Sequence, residues 1–231
     1  MKMSLNFKVI FVILNSMKNL TLLAATEIKG IQLAFFIVVP IVLLLFLAFC
    51  LYFPISHAYK RKHFQIHFYK QVYRTALNND YYLINQFVFK VDSSKNATVD
   101  HILFGEKYIY VVISKYYQGD LIGKYLDKSL IFISHKGKKC YTDNPYNEAK
   151  FLTSKLSSST GIDASLMIGI VLINDDCKVA VNSESKQFYI IQRKRFNALI
   201  KAIESRPVEK INETQLSKAV QSIAKLNRRK K

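Results

Sequence analysis

The sequence predicts a mixed α/β domain, with helices laid against one central sheet, carried behind a single membrane-spanning helix. Three observations lead there. Residues 31–55 hold no charged side chain, whereas the chain beyond them is rich in lysine and arginine. Short apolar runs bounded by turn residues recur from Tyr81 to Ile191, which is the pattern of strands. Stretches of helical period precede, interrupt and follow those runs, giving the order helix, strands, helix, strands, helix. A length of 231 residues suits one domain of ordinary size with an added segment.

The apolar stretch IQLAFFIVVPIVLLLFLAFCLYFPI at 31–55 exceeds the roughly 20 residues that cross a bilayer. Pro40 is compatible with a span, because proline is tolerated in membrane helices. Residues 56–63 form a basic juxtamembrane linker with Lys60, Arg61 and Lys62 between His57 and His63. Positive flanks stay inside, so the large C-terminal part is expected on the cytoplasmic side of the cell membrane. Tyr52 and Tyr59 fall at headgroup depth, and the same basic flank could attract anionic lipid. In residues 1–30, the bursts Val9–Leu14 and Leu20–Ala25 are split by Asn15, Ser16, Lys18 and Asn19. That leaves open a second membrane segment, or a true start at Met17.

Residues 64–206 are expected to be the folded domain. A helix over Lys60–Asn79 places Phe64, His67, Phe68, Gln71, Val72 and Leu77 on one stripe. A strand at Tyr81–Val91 and a turn at Asp92–Asn96 follow. Thr98–Phe104 and Tyr108–Ser114 form a hairpin about Gly105-Glu106, leaving by a loop that holds Gly119 and Gly123. Leu130–Ser134 is a strand before the turn Lys136-Gly137-Lys138-Lys139. Asn144 caps a helix beginning at Pro145 and running to about Leu156. The unbroken apolar run Leu166–Ile173 suits a strand covered on both faces. A turn at Asn174-Asp175-Asp176, a strand at Phe188–Ile191 and an amphipathic helix at Arg193–Glu204 complete the domain. Residues 207–231 supply a C-terminal helix, about Glu213–Leu226, and a basic tail.

The net charge is +18, from 34 Lys and Arg against 16 Asp and Glu, and all but five of the charged residues follow position 57. Such a surplus suits a polyanionic neighbour, nucleic acid or an anionic membrane face, or a solvated surface of no specific purpose. Cys50, Cys140 and Cys177 are an odd, irregularly spaced set, with neither the pairs of a zinc site nor a disulfide framework. No Walker-type glycine loop, nucleophile elbow or Cys/His cluster is present.

Chemistry concentrates in Val99–Gly123. Asp100 opens one strand of the hairpin and Lys115 closes the other beside Tyr116 and Tyr117. An acid and a lysine at adjacent strand ends can converge, as in metal-dependent nucleases where one ligates Mg²⁺ and the other orients water. His101 points opposite to Asp100 and reads as a packed histidine. Tyr116 and Tyr117 suit base stacking or half-buried rim packing. Lys136, Lys138, Lys139, Arg193 and Arg195 are phosphate contacts if they share a face.

The ordered set Asp100-His101-Ile102-Leu103-Phe104, Ile109-Tyr110-Val111-Val112, Lys115-Tyr116-Tyr117-Gln118-Gly119 and Asn144-Pro145 with Glu148 resembles the nuclease-related domain family, known as NERD. The strand Leu166–Ile173 and the helix from Arg193 also fit, so the resemblance covers about Phe64–Ile203. It implies a restriction-endonuclease-like fold and a site of one aspartate, a Glu-x-Lys on the next strand and often a glutamate in the first helix. Asp100 and Lys115 match the aspartate and the lysine. Ile113 stands where the glutamate belongs, and Tyr69, Lys70 and Gln71 occupy the helical position. Asp120, ahead of Glu106, is the candidate for a migrated carboxylate, and Glu148 could support the site. Asp100 alone would hold Mg²⁺ weakly.

Three functions follow as expectations: a membrane-anchored domain that binds or feebly processes nucleic acid, DNA above all; a catalytically inert adaptor for a protein partner; or an anionic-lipid-binding module.

Overall fold

The computed structural model describes residues 30–92, 95–182 and 185–227. The expectations for residues 1–29 and for the last basic residues, 228–231, lie outside them. The chain divides into two compact units, Met1–Lys60 and Arg61–Lys231.

Helix α1, Gly30–Asn78, begins in the first unit. Its stretch Phe35–Tyr52 has a mean hydropathy of 3.0 and none of it is buried. By length and composition it can cross a membrane. Residues 56–63, expected as a linker, are helical. Neither glycine nor proline stands there to stop the helix, and Ala58, Arg61 and Lys62 favour it.

In the second unit α1 presents Phe68, Val72, Thr75 and Ala76 as its buried stripe. Phe64 packs edge-on against Phe68, with ring centroids 5.7 Å apart. His67 and Leu77, expected on that stripe, face outward, because the 68–72–76 row leaves them on the opposite side of the turn. The helix stops at Asp80, which takes a left-handed φ of 56°.

A five-stranded sheet follows, in the order β1-β2-β3-β7-β9. Its strands are β1 Tyr82–Lys90, β2 Asn96–Phe104, β3 Ile109–Lys115, β7 Met167–Ile173 and β9 Phe188–Gln192. β1, β2 and β3 pair antiparallel, while β3–β7 and β7–β9 are parallel. All seven residues of β7 are buried, as a strand covered on both faces requires. One face packs on α1 and on α3, Phe196–Glu204, through Phe196, Ile200 and Ile203. The other packs on α2, Pro145–Thr160, and α4, Glu213–Leu226, through Leu152, Leu156, Ala219 and Ile223. Residues beyond 207 therefore contribute to the domain core.

The expected single sheet is two. A second, in the order β6-β5-β4-β8, comprises β4 Gly119–Lys124, β5 Ser129–Ser134, β6 Lys139–Asp143 and β8 Val179–Asn182. The Gly119–Gly123 stretch, expected as a loop, is its strand β4. A Cβ on Gly119 would lie 2.0 Å from the Ile133 carbonyl, so glycine there allows the close β4–β5 approach. Leu121 anchors β4 in the common core.

Candidate functional site

Asp100 stands where β2 leaves its neighbour. The β2–β3 register runs from Phe104↔Ile109 to His101↔Val112 and ends. Beyond it, the Ser114 N–H donates to Asp100 Oδ2 at 2.6 Å, so a carboxylate takes the place of a main-chain acceptor. Burial pushes the Asp100 carboxyl above its usual range. The Ser114 N–H and the Lys115 ammonium pull it down, and Glu148 pushes it up again. The Ser114 hydroxyl is buried beside the same carboxylate without a completed hydrogen bond, and acts on it at longer range.

Alternation along β3 turns Ser114 toward the α1 side and Lys115 toward α2. There Lys115 Nζ meets Glu148 Oε2 at 2.6 Å. Glu148 is held in the first turn of α2 because Asn144 fixes that helix start. Asn144 Oδ1 accepts from the Tyr146 N–H, and its Nδ2 donates to the Asp127 carbonyl at 2.8 Å. Asp100, Lys115 and Glu148 thus act on one another electrostatically.

A cleft of about 450 Å³ opens over Asp100, lined also by Gln65, Tyr69, Asn85, His101 and Ser114. His101 Nδ1 and Asn85 Oδ1 are 2.7 Å apart, and burial pushes the imidazole down to about 4. His101 is therefore neutral at physiological pH, a packed wall of the cleft.

The other candidates separate. Asp120 Oδ1 accepts from the Lys178 N–H at 3.2 Å and acts electrostatically on Cys177, whereas the charges acting on Asp100 are those of Lys115 and Glu148. Asp120 thus stands apart from the charges acting on Asp100, among which the carboxylate is Glu148, whose helix is delivered by the Asn144 cap. Glu106 pairs with Lys210 at 2.6 Å. Ile113, at the expected glutamate position, is buried in the core between the sheet and α2.

Tyr116 is half-buried against Phe64, with centroids 5.5 Å apart. Tyr117 exchanges hydrogen bonds with Asn174 through its main chain and packs against Phe132. Its hydroxyl is pushed up to about 12, chiefly by burial. Both rings follow the rim-packing alternative. Arg193 is ion-paired with Asp175, which also accepts from the Lys194 N–H. The Arg193 charge is therefore shared with a carboxylate. Arg195, Lys136, Lys138 and Lys139 are exposed. Topology brings these cations toward one end of the sheet. Lys115 pairs with Ile173 and Ile173 with Gln192, next to Arg193, and the His135 N–H donates to the Gln118 carbonyl, setting the lysine turn beside the β3 exit.

Residues 61–174 match the family model of the nuclease-related domain. These residues form a nuclease-related domain. No curated protein sequence matches the chain. One solved structure, a protein of unknown function, AF1548, is similar at 9% identity, covering 68% of this chain and 78% of its own, with a TM-score of 0.32.

The nuclease-related domain invites a test for Mg²⁺, which takes near-octahedral oxygen donors, usually one or two carboxylates with water and phosphate. Here Asp100 offers one carboxylate with an oxygen already engaged by Ser114. Glu148 is engaged by Lys115, and Ile113 is apolar. Among the described residues no three His, Cys, Asp or Glu are grouped to share an ion. This donor set does not fit a resident Mg²⁺.

Sequence reasoning missed one exposed feature of the domain. Tyr69 and Tyr73 stack with centroids 5.7 Å apart and are 39% and 46% exposed. Their i, i+4 spacing beside the buried Phe68–Val72 row was the available signal.

Proposed function

We propose that this chain is a membrane-anchored nuclease-related protein whose cytoplasmic domain binds nucleic acid at the membrane face, with phosphodiester cleavage lost or feeble. One observation carries the reading. Asp100 lines a cleft at the end of the sheet toward which the chain also brings Lys115, Arg195 and the lysine turn, yet the one carboxylate acting on it, Glu148, is ion-paired and Ile113 is apolar. Cations in that arrangement attract phosphate, while the missing ligand deprives a metal of its second anchor. The apolar stretch Phe35–Tyr52 supports the anchor, and the basic flank at Lys60–Lys62 supports its cytoplasmic side.

The test uses the full chain in neutral detergent. It should bind DNA with an affinity that falls steeply as salt rises, and give little or no cleavage with Mg²⁺ or Mn²⁺. Robust cleavage lost in Asp100→Asn would overturn the inactive assignment. Undetectable binding at low salt would remove the nucleic-acid reading and leave the adaptor and lipid classes.

A further inference from the structure

We propose that the Tyr69–Tyr73 stack is a ledge for unpaired bases, so that the strand this domain takes is single-stranded. The proposal rests on the nucleic-acid reading above and names its substrate class. Its first support is geometric. Tyr69 lines the Asp100 cleft, its ring lies 6.1 Å from that of His101, and Tyr73 continues the row outward at 5.7 Å. Three rings therefore lead from the buried wall of the cleft to solvent along one side of α1.

Its second support is the cost of exposure. α1 buries Phe68 and Val72 almost completely while leaving the neighbouring tyrosines well exposed. Two stacked, solvent-facing rings are a sequence-tolerant partner for bases, every one of which has a π-face. A duplex hides those faces inside its own stack, so the ledge discriminates in favour of an unpaired strand.

The third is charge. Residues 61–78 carry Arg61, Lys62, Lys70 and Arg74 and no Asp or Glu. Lys70 and Arg74 are exposed on the same two turns as the ledge tyrosines, so the solvent side of α1 there is cationic and suits the phosphates that accompany stacked bases. Tyr116 and Tyr117 cannot serve in their place, because their rings are committed to Phe64 and Phe132.

The experiment is fluorescence anisotropy on the full chain in neutral detergent, with a short dye-labelled single strand and the same strand annealed to its complement. The single strand should bind more tightly, Tyr73→Ala should weaken it about tenfold, and Tyr73→Phe should restore it. Tyr73→Ala should leave the salt dependence unchanged, because the lost contact is not ionic. The chain has no tryptophan, so Tyr73→Trp supplies one reporter whose emission a stacked base quenches. Equal affinity for strand and duplex, with Tyr73→Ala indistinguishable from the parent, overturns this proposal and leaves the nucleic-acid reading standing. No binding of either form overturns both. A blue shift of the tryptophan in phosphatidylserine nanodiscs, with no quenching by the strand, overturns the proposal and assigns the ledge to lipid.

Discussion

Lys115 Nζ lies 2.6 Å from Glu148 Oε2 and donates to Oε1 at 2.8 Å, so the last residue of β3 is tied to the first turn of α2. The pair is 35% and 45% exposed, and such a bridge contributes less than about 1 kcal/mol to stability. Its larger effect is on charge, since it cancels the cation next to Asp100. Glu148→Gln should therefore barely move the melting temperature while tightening DNA binding several-fold. It should also steepen the salt dependence by about one phosphate contact. Lys115→Gln should weaken binding. Anisotropy titrations at several salt concentrations check both.

Asp100→Asn should stabilise the protein at neutral pH. Burial holds the folded carboxyl above its usual range, so the folded state binds that proton more tightly than the unfolded chain does. Stability from this group is thus fully present below the unfolded pKa and lost as pH rises through the folded one. The gain from Asn should be clear at pH 7 and vanish in acid, read from thermal melts across pH. Asp100→Ala should instead strip the Ser114 N–H of its acceptor, at about 1–3 kcal/mol.

Ile113→Glu, the substitution that would complete the family's Glu-x-Lys, should fail to restore a nuclease. Ile113 is 2% exposed and packs between the sheet and α2. An unpaired carboxylate there costs several kcal/mol. Urea unfolding should show a large loss of stability, with no Mg²⁺-dependent cleavage appearing.

The His101 imidazole gives the domain an acid limit. Its folded pKa is pushed down to about 4 from an ordinary 6.5, so the neutral ring's contribution is present above 6.5 and lost as pH falls toward 4. The span corresponds to roughly 3 kcal/mol. Denaturant melts between those limits should show stability falling with acid, and His101→Gln should flatten that slope.

What could be read from the sequence was governed by burial. Met167–Ile173 declared itself because a strand covered on both faces needs an unbroken apolar run, and Asn144-Pro145 declared α2 because cap and first-turn residues act locally. β4 and β6 stayed hidden. GDLIGK and KCYTD carry glycine, lysine and aspartate, and they become strands because β5 offers each a ladder and β8 offers β4 a second. The site divides the same way. Asp100 and Lys115 followed from strand ends and the Tyr69–Tyr73 pairing from its i, i+4 spacing, whereas the Glu148 pairing and the ledge's place beside the cleft depend on how α2 and α1 seat on the sheet. No local pattern encodes that seating.

The end of pairing at His101↔Val112 has a mechanical meaning. Gln86, across from Asp100 on β1, takes a left-handed φ of 51°, and the β1–β2 ladder skips that rung between Asn85↔His101 and Phe87↔Val99. The acid therefore rides on a two-stranded ribbon with its own joint, while the lysine rides on the stiff β3–β7 pair. Across that joint the ribbon is tied to β3 by the Ser114–Asp100 hydrogen bond and to the shared core by Phe87, Phe89 and Val99. The missing rung thus leaves the Asp100 carboxylate free to serve as the acceptor that the ladder lacks at Ser114.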